Sequence, residues 1–139
     1  MNATITWKGK VQFSAIADSG HEIAIDGPPD LGGEQAGVRP MELMLLGLGG
    51  CSSFDVVNIL TKGREHITDC VTQVTATRAE ADPKVFTGIH LHFVISGQNL
   101  NERKIARAIG LSAEKYCSAS IMLQRAGVDI THDYELRDV

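Results

Sequence analysis

The chain has 139 residues, 43% hydrophobic and 22% charged, with a formal net charge of −4; that is the size of one domain, here residues 1–139, and too apolar for a disordered chain. Lys and Arg number 13 against 17 Asp and Glu, which argues against nucleic acid or an anionic membrane as partner, since both select a basic face. Three cysteines are too few, and of the wrong parity, for a disulfide scaffold.

The first ten residues, MNATITWKGK, contain no apolar core of signal-peptide length, so the cytoplasm is the expected compartment, and thiols rest reduced there. Ile5, Trp7, Val11 and Phe13 alternate with polar neighbours, and Ile23 and Ile25 do so again after Ser19-Gly20. This predicts two or three short strands. Residues 27–38 are dense in Gly and Pro and predict a loop. It has neither a Walker lysine nor a GxGxxG run, so it is not read as a phosphate cradle.

Pro40 suits a first helical residue, and Met41 to Lys62 reads as one long helix stopped by Gly63. Its most apolar stretch ends at Ser52, Ser53, Asp55 and Asn58, short of the ~20 apolar residues of a membrane span. The first half is apolar on most faces, which predicts a helix buried all round. Gly47, Gly49 and Gly50 each cost about 1 kcal/mol of helix propensity relative to Ala. That cost predicts a close crossing with a second helix.

Asp69–Arg78 and Val85–Ser96 alternate as strands around a turn at Asp82-Pro83. Asn99 or Asn101 then caps a helix that runs to Arg125, with a bend or restart at Gly110–Ser112 and a stop at Gly127. Val128 to Leu136 closes as a strand. The order predicts an α+β fold with a mainly antiparallel sheet and two long central helices. One small sheet cannot cover so apolar a first helix, so a homodimer is expected to bury it from both sides.

Cys51, in Gly49-Gly50-Cys51-Ser52-Ser53, and Cys117, in Tyr116-Cys117-Ser118-Ala119-Ser120, both have small neighbours that leave room beside the sulfur. Two readings are open: ordinary buried, inert cysteines, or an attacking thiolate with a resolving thiol, cycling through a sulfenic acid and a disulfide. The second needs a cation or a helix N-terminus near the sulfur. A helix restarting near Tyr116 would place Cys117 at such an end. Asp55, one turn after Cys51, would oppose thiolate formation. Cys70 has no small-residue surround and is given no role. His90-x-His92 places two imidazoles on one strand face, but no third ligand lies close in sequence, and His21, His66 and His132 are scattered. The solvated face of a sheet accounts for the pair, so no metal and no cofactor is expected.

Arg39-Pro40-Met41-Glu42-Leu43, then Gly49-Gly50-Cys51, and later Cys117-Ser118-x-Ser120 before Asp133-Tyr134-Glu135-Leu136 together resemble the OsmC/Ohr family, in its YhfA-like branch. The resemblance implies an intertwined α+β homodimer. It also implies a thiol peroxidase that reduces organic hydroperoxides and is recycled by a dithiol, such as a lipoyl-carrying protein. Cys51 then matches the peroxidatic cysteine and Cys117 the resolving one. The family's activating Glu falls at Met41 here, with Glu42 one residue later. Its partner Arg has no counterpart in residues 20–38, which leaves Arg39. Glu42 and Arg39 are therefore the candidate supports, turned by one residue, or about 100° on a helix. Weaker activity than in members with the usual pair is expected. The alternative is a non-catalytic dimer of this fold that binds a small molecule or is structural.

Overall fold

The computed structural model describes residues 1–139, in two compact units, Met1–Met44 and Leu45–Val139. The first unit is a three-stranded antiparallel sheet of β1 (Ala3–Gly9), β2 (Gln12–Ala17) and β3 (Glu22–Asp26). The register sets Trp7 opposite Phe13 and Phe13 opposite Ile25, with Ile5 and Ile23 both opposite Ala15. Period-two alternation thus gathers these apolar side chains on one face, where Ile5, Trp7, Phe13 and Ile23 remain exposed.

The loop after β3 is organised by one buried carboxylate. Asp26, 1% exposed, accepts the backbone N–H groups of Gly27 and Glu34 at 2.8 Å and of Ala36 at 3.1 Å. Buried polar groups must be paired in this way. A side chain at Gly37 would collide with the backbone carbonyl of Ala24, so glycine there is needed for close approach.

Helix α1 (Pro40–Lys62) begins in the first unit and runs into the second. The second unit adds β4 (His66–Arg78), β5 (Phe86–Gln98), α2 (Glu102–Leu111), a π turn (Ser112–Tyr116), α3 (Ser118–Arg125) and β6 (Asp129–Asp138). The strand order is β4-β5-β6, with β4 antiparallel and β6 parallel to β5. The parallel pairing follows from chain path: α2 and α3 form a crossover, which returns the chain to the same end of the sheet. The other three pairings are antiparallel, so the sheets are mainly antiparallel as expected. Ile89, Leu91, Phe93 and Ile95 of β5 are buried with Ile105, Ala108 and Ile109 of α2 and with Leu48, Ser52, Val56 and Leu60 of α1.

The local expectations fare differently. Asn101 is the N-cap of α2, its side chain accepting from Lys104 N–H at 3.3 Å, whereas Asn99 turns the chain with φ of 51°. The second helical stretch changes at Gly110–Ser112 as expected: α2 ends at Leu111, a π turn follows from Ser112, and a new helix, α3, starts after Cys117. The glycines of α1 do not meet a second helix of the same chain. Gly49 faces Val74 of β4, 3.0 Å from where a Cβ would lie, while Gly47 and Gly50 have nothing within 4 Å. The helix is correspondingly not buried all round: Leu46 is 60% and Phe54 70% exposed. With 23 residues and a mean hydropathy of 1.6 over its best window, α1 is also long and apolar enough to cross a membrane, which the sequence reading had denied it. Its buried strip nevertheless packs in the protein, with Ser53 donating to Gly49 O at 2.7 Å and bonded to Thr72 Oγ1 at 2.6 Å.

Candidate redox site

Cys51 and Asp55 lie one turn apart on α1, both half-buried, so they share a helix face. Cys117 reaches the same place from the other side of the core and is 0% exposed. The π turn carries it there. Its wider hydrogen-bond ring lets the Cys117 N–H donate to Ser112 O at 2.8 Å, after which Cys117 takes extended backbone (φ −72°, ψ 101°) and caps α3. Such π insertions are frequent at functional sites. The Cys51 sulfur, a carboxylate oxygen of Asp55 and the Cys117 sulfur lie within 4.8 Å of one another.

Hydroxyls frame this cluster. Cys117 Sγ accepts the Ser52 O–H at 3.2 Å and the Ser120 N–H at 3.4 Å. Ser112 Oγ donates to Ser52 O at 3.3 Å and to Asp55 Oδ2 at 3.4 Å. Burial raises the Cys117 thiol pKa above its ordinary value; the Ser52 and Ser120 donors oppose the rise and the adjoining Cys51 adds to it. A groove of about 520 Å³, lined by Asp55, Asn58, Ile59, Lys62, Leu111 and Tyr116, opens beside the cluster.

The structure thus brings Cys51 and Cys117 together. Arg39 and Glu42 pair with each other at 3.8 Å, both well exposed, in the first unit; exposed pairs of this kind contribute little stability. Cys70, on β4 opposite Ile95, lies outside the three-group cluster, and burial raises its thiol pKa. From sequence, Ser52, Ser112 and Ser120 carry no assigned role, although Ser120 belongs to the Cys117-Ser118-x-Ser120 motif. The one available signal was Cys117-x-x-Ser120, the spacing at which a cap side chain meets the N3 amide. His90 and His92 do find a common partner: His90 Nε2 lies 2.9 Å and His92 Nδ1 2.6 Å from Asp133 Oδ1, and His90 Nδ1 lies 2.7 Å from Thr131 Oγ1. The parallel register of β5 and β6 places Asp133 directly opposite His92.

These features define a small α+β protein with a two-thiol site at a helix cap. The family model described as OsmC-like protein matches residues 32–133. Protein YhfA of Escherichia coli strain K12 is 46% identical over 136 residues, covering 98% of each chain. The chain belongs to the OsmC-like protein family. Two solved structures share its fold. The OsmC-like protein from Mycoplasma pneumoniae has a TM-score of 0.83 at 21% identity, over 98% of this chain and 96% of that one. The organic hydroperoxide resistance protein OhrB of Bacillus subtilis has a TM-score of 0.62 at 21% identity, over 97% of this chain and 98% of that one.

Proposed function

We propose that the protein is a two-cysteine thiol peroxidase that reduces organic hydroperoxides. The observation that carries this is the approach of the Cys51 and Cys117 sulfurs within 4.8 Å, with only Cys51 open to solvent. Cys51 as thiolate attacks the terminal peroxide oxygen. The O–O bond breaks, Cys51 becomes a sulfenic acid, and the alkoxide leaves as the alcohol after taking a proton. The Cys117 sulfur then attacks Cys51; the S–O bond breaks, water leaves with the Cys117 thiol proton, and a disulfide forms. A dithiol, such as a lipoyl-carrying protein, returns both thiols and is itself oxidised to a disulfide. Ile59, Leu111 and Tyr116 line an apolar wall of the adjoining groove that suits the organic group of such a peroxide.

The working form is a homodimer in the cytoplasm. The exposed Leu46 and Phe54 on α1, and the exposed Ile5, Trp7 and Phe13 on the first sheet, need a cover that a second copy supplies. The test is hydroperoxide consumption with a dithiol reductant. Cys51→Ser abolishes it. Cys117→Ser allows a single turnover and leaves a sulfenic acid that a dione reagent traps at Cys51. Consumption unchanged by Cys51→Ser, or none by the unaltered protein with any dithiol, overturns the reading and favours the non-catalytic dimer.

A further inference from the structure

The site holds more than a disulfide needs. Two sulfurs suffice for the redox cycle, yet the Asp55 carboxylate stands within 4.8 Å of both. Two sulfurs and a carboxylate oxygen converging from two elements are the donor types that a zinc-like ion takes.

We propose that the reduced protein binds a thiophilic divalent cation of the zinc type through Cys51 Sγ, an Asp55 carboxylate oxygen and Cys117 Sγ. Thiolate donors select zinc-like ions over magnesium or calcium. Metal bonds of ~2.3 Å to sulfur and ~2.0–2.2 Å to oxygen place tetrahedral donors about 3.5–3.8 Å apart, so the cluster closes on an ion by small side-chain rotations. Cys51 and Asp55 supply two donors one helical turn apart on rigid α1, and the α3 cap supplies the third. Ser112 Oγ, bonded to Asp55 Oδ2 at 3.4 Å, orients the carboxylate in the manner of an outer-shell partner. Asp55 also lines the adjoining groove, and a water completes the four donors.

Binding exchanges the two thiol protons for one divalent ion, M²⁺ + 2 RSH → M(SR)₂ + 2 H⁺. Metal and disulfide are therefore exclusive, since each engages both sulfurs. The proposal requires only the reduced thiols and stands apart from the peroxidase reading, which is assayed without added metal.

The experiment titrates the full chain, kept reduced with a phosphine, with Co²⁺ alone and then Zn²⁺ alone. The expected result is a single equivalent of Co²⁺ per chain, with a thiolate-to-cobalt charge-transfer band in the near ultraviolet that Zn²⁺ removes. Cys51→Ser and Cys117→Ser lose the band. Asp55→Asn weakens affinity about tenfold or more, as loss of even an outer-shell partner does. Cys70→Ser and the double variant His90→Ala/His92→Ala keep both band and affinity. In the unaltered protein, Zn²⁺ protects Cys51 and Cys117 from alkylation, which gives a second readout should a cysteine variant fail to fold. The proposal is overturned by the absence of a band, by a band that survives Cys51→Ser, by Zn²⁺ that leaves alkylation unchanged, or by binding that follows the histidine pair on β5.

Discussion

The two sulfurs of the site differ because their surroundings differ. Cys117 is sealed in the core and held by two donors, Ser52 O–H and Ser120 N–H. Cys51 carries the exposure. Burial alone would hold Cys117 as an inert thiol; the donors are what stabilise it as the thiolate it must become when it resolves a sulfenic acid. Ser52→Ala removes one of them. A neutral hydrogen bond is worth roughly 1 kcal/mol, or about fivefold in rate, so disulfide formation should slow by about that factor while consumption of the first peroxide equivalent is unchanged. Stopped-flow kinetics that follow sulfenic acid and disulfide separately decide this, and equal slowing of both steps would contradict it. The pairing of Cys51 with Cys117 was legible in sequence through the motifs around each and the small residues beside them. The serines were not. A serine inside a helix has no periodic signature, and its partner here lies 65 residues away.

At the scale of elements, the turn from α1 into β4 is fastened to the start of α2. Glu65 accepts the Asn101 backbone N–H at 2.9 Å and pairs with Lys104 Nζ at 2.9 Å, while Lys104 Nζ also donates to Gly63 O at 2.9 Å. The Asn101 bond first, then Lys104, holds the Glu65 carboxyl below its usual pKa of 4.5. A carboxylate with a depressed folded pKa contributes stability that is fully present above its unfolded pKa and is lost as pH falls through the folded value. Thermal melts should therefore show this contribution intact at neutral pH and declining below about pH 4.5. In Glu65→Gln the neutral-pH midpoint falls while the acid-side decline becomes shallower. An acid decline as steep in the variant as in the parent would show that Glu65 carries none of it. Most elements were legible because their periods are strong: the alternation in β5 and the long apolar run of α1. The break was expected at Gly110–Ser112 with a new helix near Tyr116, and α2 does end at Leu111 and α3 begin at Ser118. Its cause, a π turn in Ser112–Tyr116, depends on the tertiary placement of Ser112 against Ser52 and Asp55, which local propensity does not encode.

At the scale of the whole molecule, the sequence reading and the single chain part over α1. Its composition predicted burial all round, yet only 28% of its most apolar window is buried within the chain. The glycines identify the uncovered side. Gly49 is accounted for by Val74, whereas Gly47 and Gly50 face open space within the chain. A glycine in a helix costs about 1 kcal/mol relative to alanine, and the proposed homodimer accounts for keeping two of them on an open apolar face by bringing a second backbone close. Light scattering at micromolar concentration should then give twice the 15.0 kDa of the chain. Phe54→Asp, which puts a charge where an exposed aromatic ring stands, should give the mass of one chain. Gly50→Ala separates the two accounts of the glycines. On an open face it raises stability by about the 1 kcal/mol of propensity. On a face covered by a second copy the added methyl forces the helices apart, so the gain vanishes and the dimer dissociates at higher concentration. We expect the second result, and a more stable Gly50→Ala protein of unchanged mass would mean that no second copy covers this face.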